Sequence, residues 1–296
     1  MYIYILIISF LIVTIISFLR YKNKQDIKEI LDFLQTTENK EGVLEESLNK
    51  IKKYYINLNA STDRRKDVES QIEKLKIENI ERIEAVNYKE ITDFKGCKVS
   101  DIEFLNTSKD GTIKELSCLL SHLKTIKKAY ESGDEECLIF EDDINFHFSK
   151  LWNFSFHSIL NSLDEDCYIL SLTGRSDPFK VSNKTFEIKR KNFFIPTTIS
   201  YLIKREGMKI VLDNILKEGK FYLSKETLPT GLKSDHFLFN KLKNNKGEVV
   251  PSLFLSENPR FKTTIHDINL FKDLGKGYFL TSWEKADLNL VRYFKN

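Results

Sequence analysis

The sequence has no basic block of the kind that tracks a nucleic-acid backbone. Its 46 Lys and Arg are interspersed with 43 Asp and Glu, for a net charge of +3, so nucleic-acid binding is a poor expectation. It also lacks a glycine-rich phosphate loop. That weighs against a phosphoryl-transfer or nuclease enzyme, although such enzymes also gather carboxylates around metals. Cysteine is scarce. Cys97, Cys118, Cys137 and Cys167 form no dense framework and show no metal-ligand spacing, so they read as small buried residues of a reducing compartment, with one disulfide left open. No internal repeat is present. What is there is 296 residues of ordinary composition, 41% apolar and 30% charged, enough to bury the core of one large domain or two modest ones.

Residues 2–19 carry no charge. At about 1.5 Å per residue a helix of that length just reaches across a hydrocarbon core of about 30 Å. No basic n-region or small-residue cleavage site accompanies it, so it reads as an uncleaved transmembrane anchor rather than a signal peptide. Arg20, Lys22 and Lys24 follow it and nothing basic precedes it, which favours a single-pass topology with the carboxyl-terminal part in the cytoplasm. Sequons at Asn59, Asn106, Asn153 and Asn183 keep a lumenal orientation open. The expected organisation is an anchor over 1–20, a polar helical stalk over 21–52 with Ile27, Ile30, Leu31 and Leu34 at helical spacing, and a globular domain over 53–296.

The globular part opens with a strand pattern at Tyr54–Leu58 and a turn at Asn59–Asp63. Val68, Ile72 and Leu75 predict an amphipathic helix over Arg64–Ile80. Arg82–Val86 reads as a second strand. Strand, helix, strand opens an α/β fold with a mostly parallel central sheet. Further on, Leu116, Leu119, Leu120, Leu123 and Ile126 mark a helix over Thr112–Glu131. Strands are expected at Cys167–Leu172, Ile199–Ile203 and Glu248–Leu255, and a helix at Glu206–Leu216.

One stretch organises the rest. Cys137-Leu138-Ile139-Phe140 runs into Glu141-Asp142-Asp143, which predicts a buried strand whose carboxyl end emerges at a polar edge, where open α/β sheets bind ligands. Three adjacent acids repel one another, and a divalent cation with oxygen ligands relieves this. The competing reading is a solvated acidic turn. If the chain stays extended, Glu141 and Asp143 share one face and Asp142 points the other way. His122, beside Ser121 on its helix, reads by itself more readily as a satisfied core or boundary residue than as a ligand, and its neighbours decide between the two.

Five segments in order resemble glycosyltransferase family 25: Ile56-Asn57-Leu58 with Arg64-Arg65, Arg82-Ile83-Glu84-Ala85-Val86, Leu116-Ser117-Cys118-Leu119-Leu120-Ser121-His122-Leu123, Leu138-Ile139-Phe140-Glu141-Asp142-Asp143, and Tyr201-Leu202-Ile203-Lys204-Arg205-Glu206-Gly207-Met208. This group contains lipooligosaccharide galactosyl- and glucosyltransferases and collagen galactosyltransferases. The resemblance spans about residues 53–260. Ser117 and Tyr88 stand where the family usually has Gly, and Met208 where it often has Ala.

The resemblance implies a GT-A type nucleotide-binding fold, a UDP-sugar donor, Mn2+ and an inverting hexose transfer to a glycan, lipid-linked or protein hydroxyl. On that reading Asp143, Glu141 and the late His266 hold the metal. Asn57, Leu58, Arg64, Arg65, Ala85, Val86, Asn87, Ser121, His122 and Asp142 bind the donor, with both arginines suited to phosphate. Asp235, just before the apolar Phe237-Leu238-Phe239, is the candidate base, with helix capping as its competing role. His236 is a further candidate for a late metal or phosphate contact. A membrane-tethered binding module on a decayed transferase fold is the alternative from another class.

Overall fold

The computed structural model describes residues 46–93, 97–99, 109–146, 149, 154–173, 186–190, 197–213, 215–223, 232–250 and 253–256. The chain divides into two compact units, Met1–Glu41 and Gly42–Asn296, and every described residue belongs to the second. The expected anchor over 2–19 and most of the expected stalk lie outside the described residues, as does His266. Among the described residues no helix is long and apolar enough to cross a membrane.

The elements run α1 (Glu46–Lys50), β1 (Lys52–Asn57), α2 (Thr62–Leu75), β2 (Ile80–Glu84), β3 (Cys97–Val99), α3 (Lys109–Glu131), β4 (Glu136–Glu141), β5 (Ile144–Asn145), α4 (Phe156–Asn161), β6 (Ile169–Ser171), β7 (Glu187–Lys189), β8 (Ser200–Lys204), α5 (Arg205–Leu212), β9 (Leu216–Lys217), β10 (Lys220–Leu223), α6 (Ser234–Lys241), β11 (Lys246–Val250) and β12 (Leu255–Ser256). Seven strands form the central sheet in the order β2-β1-β4-β8-β6-β11-β7. The pairs β1–β2, β1–β4 and β6–β11 are parallel, while β8 runs antiparallel to both its neighbours and β7 antiparallel to β11. Five of the seven strands therefore point one way. This mixed α/β architecture with a mostly parallel sheet fits the GT-A-like expectation.

Both faces of the sheet are covered, and the sequence alternates accordingly. Tyr54, Ile56, Cys137 and Ile139 turn toward one apolar cluster with Leu116, Leu119, Leu120 and Leu123 of α3. Tyr55, Leu138 and Phe140 turn toward the other with Val68 and Leu75 of α2 and Phe156 of α4. Strands buried on both faces read as continuous apolar runs, which is why 137–140 is legible.

Several boundaries depart from the sequence reading. The second strand runs Ile80–Glu84 rather than Arg82–Val86, and the strand expected over Glu248–Leu255 is Lys246–Val250 with a separate short strand at Leu255–Ser256. Two helices also end early. Helix α2 stops at Leu75 rather than Ile80, because Lys76 adopts a left-handed conformation (φ 51°) and the next turn closes through Ile77 N–H donating to Ile72 O at 2.9 Å. Helix α5 stops at Leu212, short of the expected Leu216, which pairs instead within a small hairpin through β9 and β10.

Beyond the end of β4, Phe140, Phe146 and Phe254 stack edge to face, with ring centroids 5.0, 5.4 and 5.8 Å apart. Such pairs contribute about 0.5–1.5 kcal/mol each beyond burial. They fix the turn at Asp142–Asp143 between β4 and β5.

Candidate active site

The parallel register sets Ile56 of β1 beside Glu141 of β4, so both strands end at the same edge of the sheet. Asn57, the last residue of β1, donates from Nδ2 to Asp142 Oδ2 at 2.8 Å. Arg64, in the first turn of α2, donates from Nη1 to Asp142 Oδ1 at 2.6 Å. Asn57 is itself held by Arg82, whose Nε donates to its Oδ1 at 3.1 Å and whose Nη2 donates to its carbonyl at 3.2 Å. The middle acid of the triplet is thus tied to two other elements.

Glu141 faces a different set. Thr198 donates to its Oε1 at 2.9 Å, and His122 Nε2 lies 3.4 Å from the same oxygen. On the other side of its ring, His122 Nδ1 is 3.1 Å from the Tyr201 hydroxyl. Thr198 and Ser234 hydroxyls are 2.9 Å apart, and Ser234 Oγ is 3.5 Å from Cys118 Sγ. Strand β4, helix α3, the segment before β8 and the start of α6 therefore meet at one carboxylate.

Extended geometry does not carry through the triplet. The chain leaves β4 at Glu141 and turns at Asp142 and Asp143, so Glu141 and Asp142 both line the same cavity, correcting the expected pairing of Glu141 with Asp143 on one face. The turn is the reason, because side chains alternate only in extended backbone.

That cavity encloses about 310 Å3. Leu58, Arg64, Ala85, Val86, Ser121 and His122 line it as well, so most of the anticipated donor residues converge there. Asn57 supports it from behind through Asp142. Arg65 points elsewhere, toward Glu69 at 4.0 Å and one-third exposed. Asn87 does not line the cavity and accepts from its own turn, Lys89 N–H, at 3.1 Å. Asp235 lies in the first turn of α6, where its Oδ1 accepts from His236 N–H at 2.8 Å. His236 is exposed.

Sequence reading assigns no site role to Tyr88, Lys114, Ser117, Cys118, Thr198 or Ser234. Lys114 Nζ sits 5.8 Å from the Tyr88 ring centroid, and both line the cavity. Ser117 and Ser121 clamp the backbone of Val86 on both sides: Ser117 Oγ donates to Val86 O, and Val86 N–H donates to Ser121 Oγ at 2.9 Å. Glycine at 117 has no hydroxyl with which to make that bond. Cys118 and His122 are four residues apart on α3, a helical spacing that puts both on one face. The sequence reading compares the cysteines only with one another, and a check for Cys–His pairs one turn apart picks out this pair. Cys118, Cys137 and Cys167 are free thiols.

The electrostatics follow the contacts. Burial alone raises the Glu141 carboxyl, but the hydrogen bond and charge of His122, with Thr198 and Arg64, hold it below the usual carboxylate range. Burial alone lowers Arg64, but Asp142, Asp143 and Glu141 together raise it. Burial and the Glu141 charge push the Cys118 thiol well up. Burial raises the Asp142 carboxyl against the opposing pull of Arg64 and Asn57. The cavity thus offers the Glu141 carboxylate, a fixed guanidinium and a lysine at the carboxyl edge of parallel strands.

No curated protein matches the chain. The family model described as "Glycosyltransferase family 25 (LPS biosynthesis protein)" matches residues 50–225. That span of 176 residues (225 − 50 + 1) is more than half of the 296. It takes in β1 through β10 and every residue lining the cavity, and ends before α6 and Asp235. On this match over the strands that build the cavity, the chain belongs to glycosyltransferase family 25 and is a transferase enzyme.

Proposed function

We propose that the chain transfers a hexose, galactose or glucose, from a UDP-sugar to a hydroxyl of a glycan, lipooligosaccharide or protein acceptor, with inversion and with help from Mn2+ or a similar divalent cation. The observation that carries this reading is the cavity itself, which brings Glu141, Asp142, Arg64 and Lys114 together at the carboxyl edge of β1 and β4. Cations for a diphosphate and acids for a metal meet there.

The donor set suits an oxygen-preferring ion. Asp142 is committed to Arg64 and Asn57, which leaves Glu141 as the acid of the cavity wall to hold the metal, with Asp143, next in the turn but outside the cavity lining, as the second acid on this reading. Bound there, the ion supplies positive charge to the departing diphosphate. The chain's own groups do the rest. Arg64, fixed by Asp142, presents its remaining donors to phosphate oxygen from a preorganised position. Val86, clamped by Ser117 and Ser121, gives the nucleoside a rigid wall, and Tyr88 offers the cavity an aromatic face. Asp235 takes the acceptor hydroxyl proton as general base. We further propose tethering through residues 2–19, with the domain on the cytoplasmic side that Arg20, Lys22 and Lys24 favour.

The test is calorimetry on the full chain in detergent with UDP and UDP-sugars, with and without Mn2+, beside Asp143→Ala. Metal-dependent UDP binding that the substitution removes is the expected result. No UDP binding under any metal condition overturns the UDP-donor reading, and failure of other sugar nucleotides as well favours a tethered binding module.

A further inference from the structure

We propose that Cys118, His122 and Glu141 form a second, softer metal site in the wall of the cavity, suited to a borderline divalent cation such as Zn2+. One ligand atom from each, a thiol sulfur, an imidazole nitrogen and a carboxylate oxygen, all lie within 4.8 Å of one another. In a tetrahedral zinc site, bond lengths of about 2.3 Å to sulfur and about 2.0–2.1 Å to nitrogen put those two atoms about 3.5 Å apart. The cluster therefore reaches ligand geometry by closing about 1 Å, within the reach of side-chain torsions.

The arrangement around the three is that of a supported metal site. Cys118 and His122 sit one turn apart on α3, and Glu141 faces them from the end of β4. The Tyr201 hydroxyl at 3.1 Å from His122 Nδ1 can accept that nitrogen's proton bond and leave Nε2 for the metal. Thr198 orients Glu141 at 2.9 Å, and Ser234 stands 3.5 Å from the sulfur. All three ligands line the cavity, so a fourth position opens onto it for water or an anionic oxygen. Thiolate selects Zn2+ over Mn2+ or Mg2+. On binding, the Cys118 S–H proton leaves to solvent and the sulfur lone pair bonds the metal. The site shares Glu141 with the metal of the proposed function but needs neither UDP nor Asp143, so Cys118 and His122 variants test it apart from the donor assignment.

The test is cobalt spectroscopy on the full chain in detergent, stripped of metal. One Co2+ per chain should give a thiolate-to-cobalt band in the near ultraviolet and tetrahedral visible bands, both removed by Zn2+. Cys118→Ser and His122→Gln should lose the near-ultraviolet band, and Tyr201→Phe should weaken Zn2+ binding about tenfold. If Cys118→Ser does not fold, protection of Cys118 from N-ethylmaleimide by Zn2+ in the unaltered chain, read by peptide mass, decides instead. A missing near-ultraviolet band, a band that survives in Cys118→Ser, or no Zn2+ protection overturns the proposal.

Discussion

Arg64 and Asp142, 78 residues apart in sequence, make a 2.6 Å ion pair with only 10% and 12% of their side chains exposed. The pair joins the first turn of α2 to the turn after β4, and Asn57 of β1 adds a third element to it at 2.8 Å. An acid so engaged acts as a strut. It sets where the guanidinium points and how the strand-end turn is held.

Asp142→Ala should therefore show its effect in folding first. Removing one partner of a buried pair leaves the other charge uncompensated, at a cost of about 3–5 kcal/mol. Arg64 keeps other carboxylates nearby, so the low end, about 3 kcal/mol, is expected. Asp142→Asn, which can still accept hydrogen bonds, should cost less, about 1–2 kcal/mol. Urea unfolding of the two variants checks the order. Equal and negligible losses would remove the strut.

The sequence makes this edge of the sheet legible because its signals are local. The apolar run 137–140 ends at Glu141, and Asn57 closes a strand of apolar residues, so both ends are visible without knowing their partners. What stays hidden is long-range. Nothing in residues 55–65 shows that Arg64 reaches Asp142. Nothing around 198 marks Thr198 as Glu141's donor, since its segment has no periodicity to assign. Strand β8 inserts antiparallel between β4 and β6, a sheet order that no local pattern encodes. Cys118 escapes a comparison of the cysteines with one another, because its neighbour on the helix face is the histidine one turn away.

Gly207 is the residue where packing, not conformation, forbids a side chain. A Cβ there would stand 2.8 Å from the Tyr168 carbonyl oxygen and 3.1 Å from Tyr168 Cβ. That carbonyl accepts from Lys204 N–H at 2.9 Å and is not free to shift. Gly207→Ala should destabilise by about 1–3 kcal/mol, outweighing the roughly 1 kcal/mol that alanine gains within a helix. Lys204 pairs with Glu136, at the opposite end of β4 from Glu141, so nucleotide affinity of the folded variant should not change. Thermal melts and UDP titration together check both halves.

Lys53 is fully buried at the start of β1, its ammonium donating to the carbonyls of Asn49, Ile51 and Glu78 at 3.1, 2.8 and 3.1 Å. Burial nonetheless pushes it down to about 8 from an ordinary 10.5. Between those values the unfolded chain binds more protons than the folded one, so stability rises with pH across the window from about 8 to 10.5. The rise should be of order 1–3 kcal/mol. Lys53→Met should remove it. Urea melts of both chains across the window check the slope, and parallel pH dependence in the two would clear Lys53 of the effect.

Asp235 offers two roles that one substitution can separate. Its Oδ1 accepts from His236 N–H, a donor in the first turn of α6, and Lys233 at the cap position makes no capping bond with its side chain. A carboxylate there also favours the positive end of the helix. Asparagine keeps an oxygen acceptor for that N–H but has no basicity. Asp235→Asn should thus keep stability within about 1 kcal/mol, the helix-end charge being all that is lost. Activity should fall by about 10^2 to 10^4 if the carboxylate is the base. Ser234, its neighbour, is 2.9 Å from Thr198, which in turn donates to Glu141, so the start of α6 is held against the end of β4 whichever residue stands at 235. Transfer rates with the acceptor in hand, set beside thermal melts, decide between the roles. Full activity in a folded Asp235→Asn chain would assign Asp235 to the helix end and send the search for the base elsewhere.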